Sequence, residues 1–409
     1  METAGSLFNP EIEVAAMEKI KILQLDKIAE EGLKLFGDKF EIGRDLKDPD
    51  GILVRSSKVD VDDFPSLLAV ARAGAGVNNI TVNKATEKGV CVFNTPGANA
   101  NAVAELVFVM LGTCARNIHL GTNFCQGLSG LSNTEISTQV ETQKAQFRGF
   151  ELAGKTLGVI GLGKIGVIVA NGGITRGMKV IGFDPYPALE NIHSLSSDVI
   201  LARSMKQLLS LADIISIHVP LNDKTRGLIN KKLLDQFLSG TILVNFARGP
   251  IVEEEAVLAA LDNGHLSNYI TDFPSKETIC HPRIICSPHL GASTEESEEH
   301  CASMAARELI GYFEYGTISH SVNFPTAESI PSDNVHSRLT MINRDIPGMI
   351  GFASQIIGSH EINIGSYINE SNGSIGYNII DLETEIPSRV LAEIEKNSDV
   401  IRTRLIRLA

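Results

Sequence analysis

The feature that most constrains this chain is a set of three glycines at fixed spacing. Gly161-Leu162-Gly163-Lys164-Ile165-Gly166 follows the short apolar run 157–160 and opens a helical pattern. A strand–turn–helix carrying glycine at its first, third and sixth positions suits the pyrophosphate of a dinucleotide. Gly161 permits the tight turn, Gly163 lets the phosphates approach the main chain, and Gly166 lets helix and strand pack closely. The helix start, with Lys164 and Ile165, supplies unpaired N–H groups and a partial positive charge. Asp184 ends the next strand-like run, where a carboxylate accepts from ribose hydroxyls and repels a 2′-phosphate. Pro185 and Tyr186 follow, and neither is basic. The pattern predicts NAD, not NADP, as cofactor, and no metal.

Around this turn the sequence alternates. Strand-like runs at 20–25, 51–54, 67–73 and 90–93 are separated by helical patterns such as 28–36 and 82–88. A second series starts at 156, with apolar β-branched runs at 157–160, 180–183, 214–219 and 242–245 and another ending near Ile270. Such alternation predicts parallel sheets with helices on both faces. Long helical patterns occupy 99–119 and 294–315, the second reading as a return connection. Asn171-Gly172-Gly173 inside the helix after the glycine turn is costly, at up to about 1 kcal/mol per glycine, and close packing is the compensation to expect. The polar stretch 121–149 reads as a solvent loop or as an arm on a partner subunit. Residues 323–333, with Pro325 and Pro331, have the composition of a linker. Beyond them the order is strand, helix, strand, strand, helix, strand, with Asn372-Gly373 as the hairpin turn, which is the ferredoxin-like arrangement.

Composition excludes several classes. With 43% apolar and 21% charged residues the chain buries enough surface to fold, and no apolar run approaches the roughly 18 residues of a membrane span. A net charge of −13 repels nucleic acid and anionic membranes. Six cysteines (Cys91, Cys114, Cys125, Cys280, Cys286 and Cys301) form no C-x-x-C pair, which suits a reducing compartment and predicts a cytoplasmic protein. The first 16 residues lack a basic start and an apolar core, so they predict a loose extension and no secretory signal.

Hydride exchange at a carbon bearing a hydroxyl needs a held nicotinamide, an acid/base for the hydroxyl proton and a cation for the substrate carboxylate. Arg248 lies just past the run 242–245, and Asp272, Glu277 and His289 fall on later loops. Open α/β sheets bind ligands beyond the carboxyl ends of their strands, so these loops can converge. Together, Gly161–Gly166, Asn245-Phe246-Ala247-Arg248-Gly249 and Pro288-His289-Leu290-Gly291-Ala292-Ser293 resemble the D-isomer-specific 2-hydroxyacid dehydrogenases. The resemblance implies His289 as general acid/base, Glu277 as the carboxylate that orients it, and Arg248 as the grip on the substrate carboxylate. The family usually has proline after that glutamate; here Thr278 follows. The resemblance also places His218, Thr225, Ala247, Asp272 and Gly291 on the cofactor side. It places Arg55, Ala75, Gly76 and Asn99 on the substrate side. Some relatives carry a second arginine where this chain has Ser57. Asn99 reads equally well as a plain helix cap, and Arg72 and Arg116 as salt-bridged structure.

The C-terminal segment resembles an ACT domain, a small ligand-sensing module. Its first turn, Asn343-Arg344-Asp345-Ile346-Pro347-Gly348, and Asn363 fall where serine-inhibited relatives bind their effector. The expected architecture is therefore α/β with two Rossmann-like parallel-sheet domains and a ferredoxin-like βαββαβ ACT domain. The substrate domain is discontinuous (17–100 and 294–325), the NAD domain is 101–293, and the ACT domain is 334–409. The pairing resembles the branch that oxidises 3-phospho-D-glycerate to 3-phosphohydroxypyruvate in L-serine synthesis, with L-serine as effector. A homo-oligomer, dimer or tetramer, is expected, because an ACT unit exposes a sheet edge. The alternatives are a glyoxylate or hydroxypyruvate reductase, and a non-catalytic NAD-sensing binding protein. An intact Arg248, Glu277 and His289 argues against the binding protein.

Overall fold

The structure is a computed structural model and describes residues 18–332 and 334–408; the expected extension over the first 16 residues lies outside the described residues. The chain divides into two compact units. One is Gly97–Glu298, and the other holds the described residues up to Pro96 and from Glu299 onward.

The unit Gly97–Glu298 is built on a seven-stranded parallel sheet. Its order is Ile284–Cys286, Leu266–Thr271, Thr241–Asn245, Ile214–Ile217, Thr156–Ile160, Lys179–Phe183, Ile200–Leu201. The chain runs outward from Thr156–Ile160 and then returns to lay Ile214–Ile217 on its other side. The strand order therefore reverses beside the glycine turn, the position where such sheets leave a crevice for ligands. The central strands are buried throughout and mostly apolar because both faces are covered. The helix Ala100–Ala115 packs Val103, Val107, Phe108 and Leu111 into the same core as Leu157, Val159 and Val180.

The stretch 121–149, which reads as a solvent loop or an arm, is largely helical. Ile118–Gly127 and Asn133–Gln143 are helices, the second opened by a capping box in which Ser132 and Glu135 each satisfy the other's N–H. Neither helix buries a residue in its own chain. Few apolar residues lie on the second helix, so its periodicity is too weak to read from sequence. The long helix expected over 99–119 ends at Ala115, where Asn117 turns left-handed (φ +50°).

The other unit contains a five-stranded parallel sheet ordered Phe40–Gly43, Ile20–Gln24, Gly51–Val54, Ala69–Arg72, Cys91–Phe93. The edge strand Phe40–Gly43 is four residues long and gave no sequence signal. A second, antiparallel sheet has the order Ile364–Ser371, Ile375–Leu382, Ser337–Arg344, Val400–Arg407. With helices Met349–Ser359 and Ser388–Ile394 it forms the expected βαββαβ arrangement. The hairpin differs in detail: Gly373 alone takes positive φ (+88°), while the Asn372 side chain accepts from Ser374 and Ile375 N–H. Residues 323–332 are not a free linker. Asn323 is buried and hydrogen-bonds Val92 N and Val90 O, and Ala327 pairs with Ile318.

The antiparallel sheet joins this unit through the end of helix Glu295–Tyr315. The last carbonyls of a helix have no internal partner. Here strands of the C-terminal sheet supply donors: Arg404 to Tyr312 O and Phe313 O, Arg338 to Tyr315 O, and Tyr377 to Gly316 O. Arg338, fully buried, also forks onto Asp381 at 2.6 and 3.0 Å.

Candidate active site

In the unit Gly97–Glu298, six neighbouring strands end in the residues the sequence singled out. The glycine turn comes first. Gly161 has φ +92°, and a Cβ there would stand 2.5 Å from His218 O. A Cβ on Gly166 would stand 1.9 Å from Gly161 O, whereas nothing lies within 4 Å of one on Gly163. The outer glycines are thus required by packing, and the middle one faces open space. No side chain caps the following helix, Lys164–Thr175, so its first N–H groups are available to an anion.

Asp184 ties the turn to the next strand. Its Oδ2 accepts from Leu162 N and its Oδ1 from Tyr186 N, both at 2.8 Å. His218 sits under the turn, bonded to Ser216 Oγ at 2.8 Å. Burial of the ring pushes its imidazole down to about 3, so it is neutral at neutral pH. Thr225 holds its own loop, donating to Pro220 O and accepting from Asn222 N.

Asn245, fully buried, shapes the turn that carries Arg248 by accepting from Ala247 N and donating to Arg248 O. The Arg248 guanidinium folds back on Ala247 O at 2.6 Å. Asp272 is 1% exposed; its Oδ2 accepts from Gly291 N, while its Oδ1 has no partner among the described residues. Burial raises the Asp272 carboxyl despite the opposing pull of the Gly291 N–H, His289 and Arg248. Its backbone carbonyl also accepts from His289 N. That bond, with a second to Ser287 O, holds His289 at φ +51° with its side chain exposed. The Phe273 ring stands edge-on to the imidazole at 5.0 Å. Glu277 is exposed and makes no hydrogen bond to His289 in this structure. Thr278, in place of the usual proline, donates its N–H to Ser275 Oγ, a bond proline lacks.

The other unit holds the loops expected on the substrate side. Arg55 follows the buried strand Gly51–Val54. Arg72 donates to Arg55 O and Gly76 O, and Asn94 donates to Ala75 O. The N–H groups of Ala75 and Gly76 have no acceptor among the described residues, as a carboxylate cradle requires. Asn99, in the unit Gly97–Glu298, makes no cap bond, and its Oδ1 is buried without a partner; the plain-cap reading is not what the structure shows.

In the C-terminal sheet, a cavity of about 420 Å³ is lined by Asn343, Asp345, residues 346–350 and Asn369. Asn343 and Asn369 both bond Asn378, and Asp345 accepts from Ser371 Oγ. The helix begins at Met349, after Gly348 (φ +95°). Asn363 is not brought here: it precedes Ile364, which pairs with Leu382 at the opposite end of the sheet from Asn343.

Sequence reasoning missed Phe273, Asn378 and Asn369, whose roles depend on partners far along the chain. It also missed Asp26, whose carboxylate receives three successive N–H groups.

The family described as "D-isomer specific 2-hydroxyacid dehydrogenase, NAD binding domain" matches residues 115–291. The D-3-phosphoglycerate dehydrogenase of Haemophilus influenzae is 32% identical over 357 residues, which are 85% of this chain and 83% of that one. The chain belongs to the D-isomer-specific 2-hydroxyacid dehydrogenases. A member of this family from Bacillus subtilis, also a D-3-phosphoglycerate dehydrogenase, is 34% identical over 75% of this chain. The chain spans about three-fifths of the length of that relative and of the one from Methanocaldococcus jannaschii. The crystal structure of NAD+-bound 3-phosphoglycerate dehydrogenase from Entamoeba histolytica superposes with a TM-score of 0.59 at 28% identity. It covers 75% of this chain and 99% of its own.

Proposed function

We propose that this dehydrogenase oxidises the C2 hydroxyl of 3-phospho-D-glycerate to give 3-phosphohydroxypyruvate, with NAD as cofactor, the first step of L-serine synthesis. One observation carries the reading. A single sheet presents the glycine turn, Asp184, Arg248, Asp272 and His289 at the same ends of its strands. The open space at Gly163 and the unpartnered Asp272 Oδ1 fit a dinucleotide. When bound, NAD supplies the hydride acceptor. His289 takes the hydroxyl proton, and Arg248 turns from Ala247 O to the substrate carboxylate. Glu277 stabilises the imidazolium by swinging in from the rim. Arg55, Ala75 and Gly76 hold the substrate's anionic ends.

On this reading 17–100 and 294–325 form the substrate domain, 101–293 the NAD domain and 334–409 an ACT-type regulatory domain. Its cavity supports an effector with amino and carboxylate groups, L-serine, held by Asp345 and the Asn343–Asn378–Asn369 set. The exposed Ile118, Leu120 and Leu131, on or beside two helices that bury nothing in their own chain, and the exposed Val109 on the preceding helix support assembly with a second copy. The six free cysteines support a cytoplasmic setting.

The test is NADH formation from 3-phosphoglycerate with and without millimolar L-serine, with NADP and D-glycerate as controls. The reading expects turnover with NAD and suppression by serine. Turnover that ignores serine removes the effector assignment alone.

A further inference from the structure

Asp26 lies just past the strand Ile20–Gln24 and makes an unusual set of bonds. Its Oδ2 accepts from Arg55 N at 2.7 Å, Ser56 N at 2.8 Å and Ser57 N at 3.0 Å. Its Oδ1 accepts from Ser57 Oγ at 2.7 Å. Three consecutive N–H groups pointing at one oxygen form an anion nest, and in this chain the nest is filled by an internal carboxylate. Burial acts to raise the Asp26 carboxyl, but the four hydrogen bonds outweigh it and hold it below the usual carboxylate range.

The loop so gripped is the one that begins with Arg55. Its carbonyls are fixed as well: Arg55 O accepts from Arg72 Nε at 2.9 Å, and Ser57 O accepts from Asn79 Nδ2 at 2.7 Å. All three N–H groups and two of the three carbonyls of this loop are thus committed within the protein. Its backbone conformation is set before substrate arrives.

We propose that Asp26 is a positioning residue for substrate recognition: it locks the Arg55–Ser57 backbone so that the Arg55 side chain is presented to the phosphate end of the substrate. The inference rests on the substrate-side reading given above. A carboxylate is needed because all four of its partners are donors. An asparagine in its place keeps one acceptor oxygen and turns an NH2 toward donors. Preorganisation of this kind acts on binding and leaves the chemical step alone.

The experiment compares Asp26→Asn, Ser57→Ala and Arg55→Ala in the full-length protein, measuring kcat, KM for 3-phosphoglycerate, KM for NAD and the melting temperature. Arg55→Ala and Asp26→Asn are each expected to raise the substrate KM about tenfold or more, which is about 1.4 kcal/mol. Both are expected to hold kcat within about twofold and to leave the NAD KM unchanged. Ser57→Ala removes one of the four bonds and is expected to raise the substrate KM about two- to threefold. An Asp26→Asn protein that folds and keeps the wild-type substrate KM, while Arg55→Ala raises it, overturns the inference and spares the substrate-side reading. An Arg55→Ala protein with unchanged KM overturns that reading itself. If Asp26→Asn does not fold, an unchanged KM in Ser57→Ala overturns the inference.

Discussion

His289 reaches its position through main-chain bonds, and its ring stands edge-on to Phe273. Phe273 also lies against the next turn, since a Cβ on Gly249 would stand 3.4 Å from Phe273 Cβ. One aromatic side chain thus touches the proposed base and the turn that carries Arg248. An edge-on aromatic pair contributes about 0.5–1.5 kcal/mol beyond its buried area. Phe273→Val is therefore expected to lower kcat about two- to tenfold with little change in NAD affinity, as steady-state kinetics and cofactor titration will show. Sequence pattern made His289, Arg248 and the three glycines legible because each sits in a motif with a local mechanism. Phe273 was not legible, because its value depends on a histidine sixteen residues away in sequence that folding returns to it. Asp26 was missed for the same reason, with partners some thirty residues distant.

The helix Lys164–Thr175 shows how a local rule yields to packing. Glycines at 172 and 173 look like defects by helix propensity alone. A Cβ on Gly172 would stand 2.6 Å from the Phe108 ring, and one on Gly173 would stand 2.9 Å from both Leu157 and Val180. The sequence posed this question, and tertiary structure answers it. Gly172→Ala gains helix propensity but overpacks the contact with Phe108, and a net loss of about 1–3 kcal/mol is expected in denaturant unfolding. Unchanged or increased stability there contradicts the packing account. The helix Asn133–Gln143 is the reverse case. Its capping box is legible as Ser132 and Glu135, but a helix whose only apolar residues are Ile136 and Val140 gives too weak a periodicity, so the box alone did not announce it. The short edge strand Phe40–Gly43 and the bonds of Asn323 were hidden because pairing with distant strands defines both.

Over the whole chain, two parallel sheets and one antiparallel sheet were readable from alternation and turn chemistry, because strands buried on both faces are continuous apolar runs. The joining of the antiparallel sheet to helix Glu295–Tyr315 was not readable. It depends on Arg338, which looks like any strand arginine in sequence and proves fully buried against Asp381, Tyr315 O and Ser329 O. Removing one member of such a pair strands the other, at a cost of about 3–5 kcal/mol. Arg338→Ala is expected to lose that much in denaturant unfolding, and a loss below about 1 kcal/mol contradicts the clamp. The central claim concerns the sheet that gathers Asp184, Arg248, Asp272 and His289, and it is tested most directly by NADH formation from 3-phosphoglycerate in wild type and His289→Asn. The account predicts turnover with NAD in the wild type, and a kcat about 10²- to 10⁴-fold lower in the variant with NAD binding retained. Wild-type protein that binds NAD yet turns over no 3-phosphoglycerate in either direction, or a variant as fast as wild type, contradicts it.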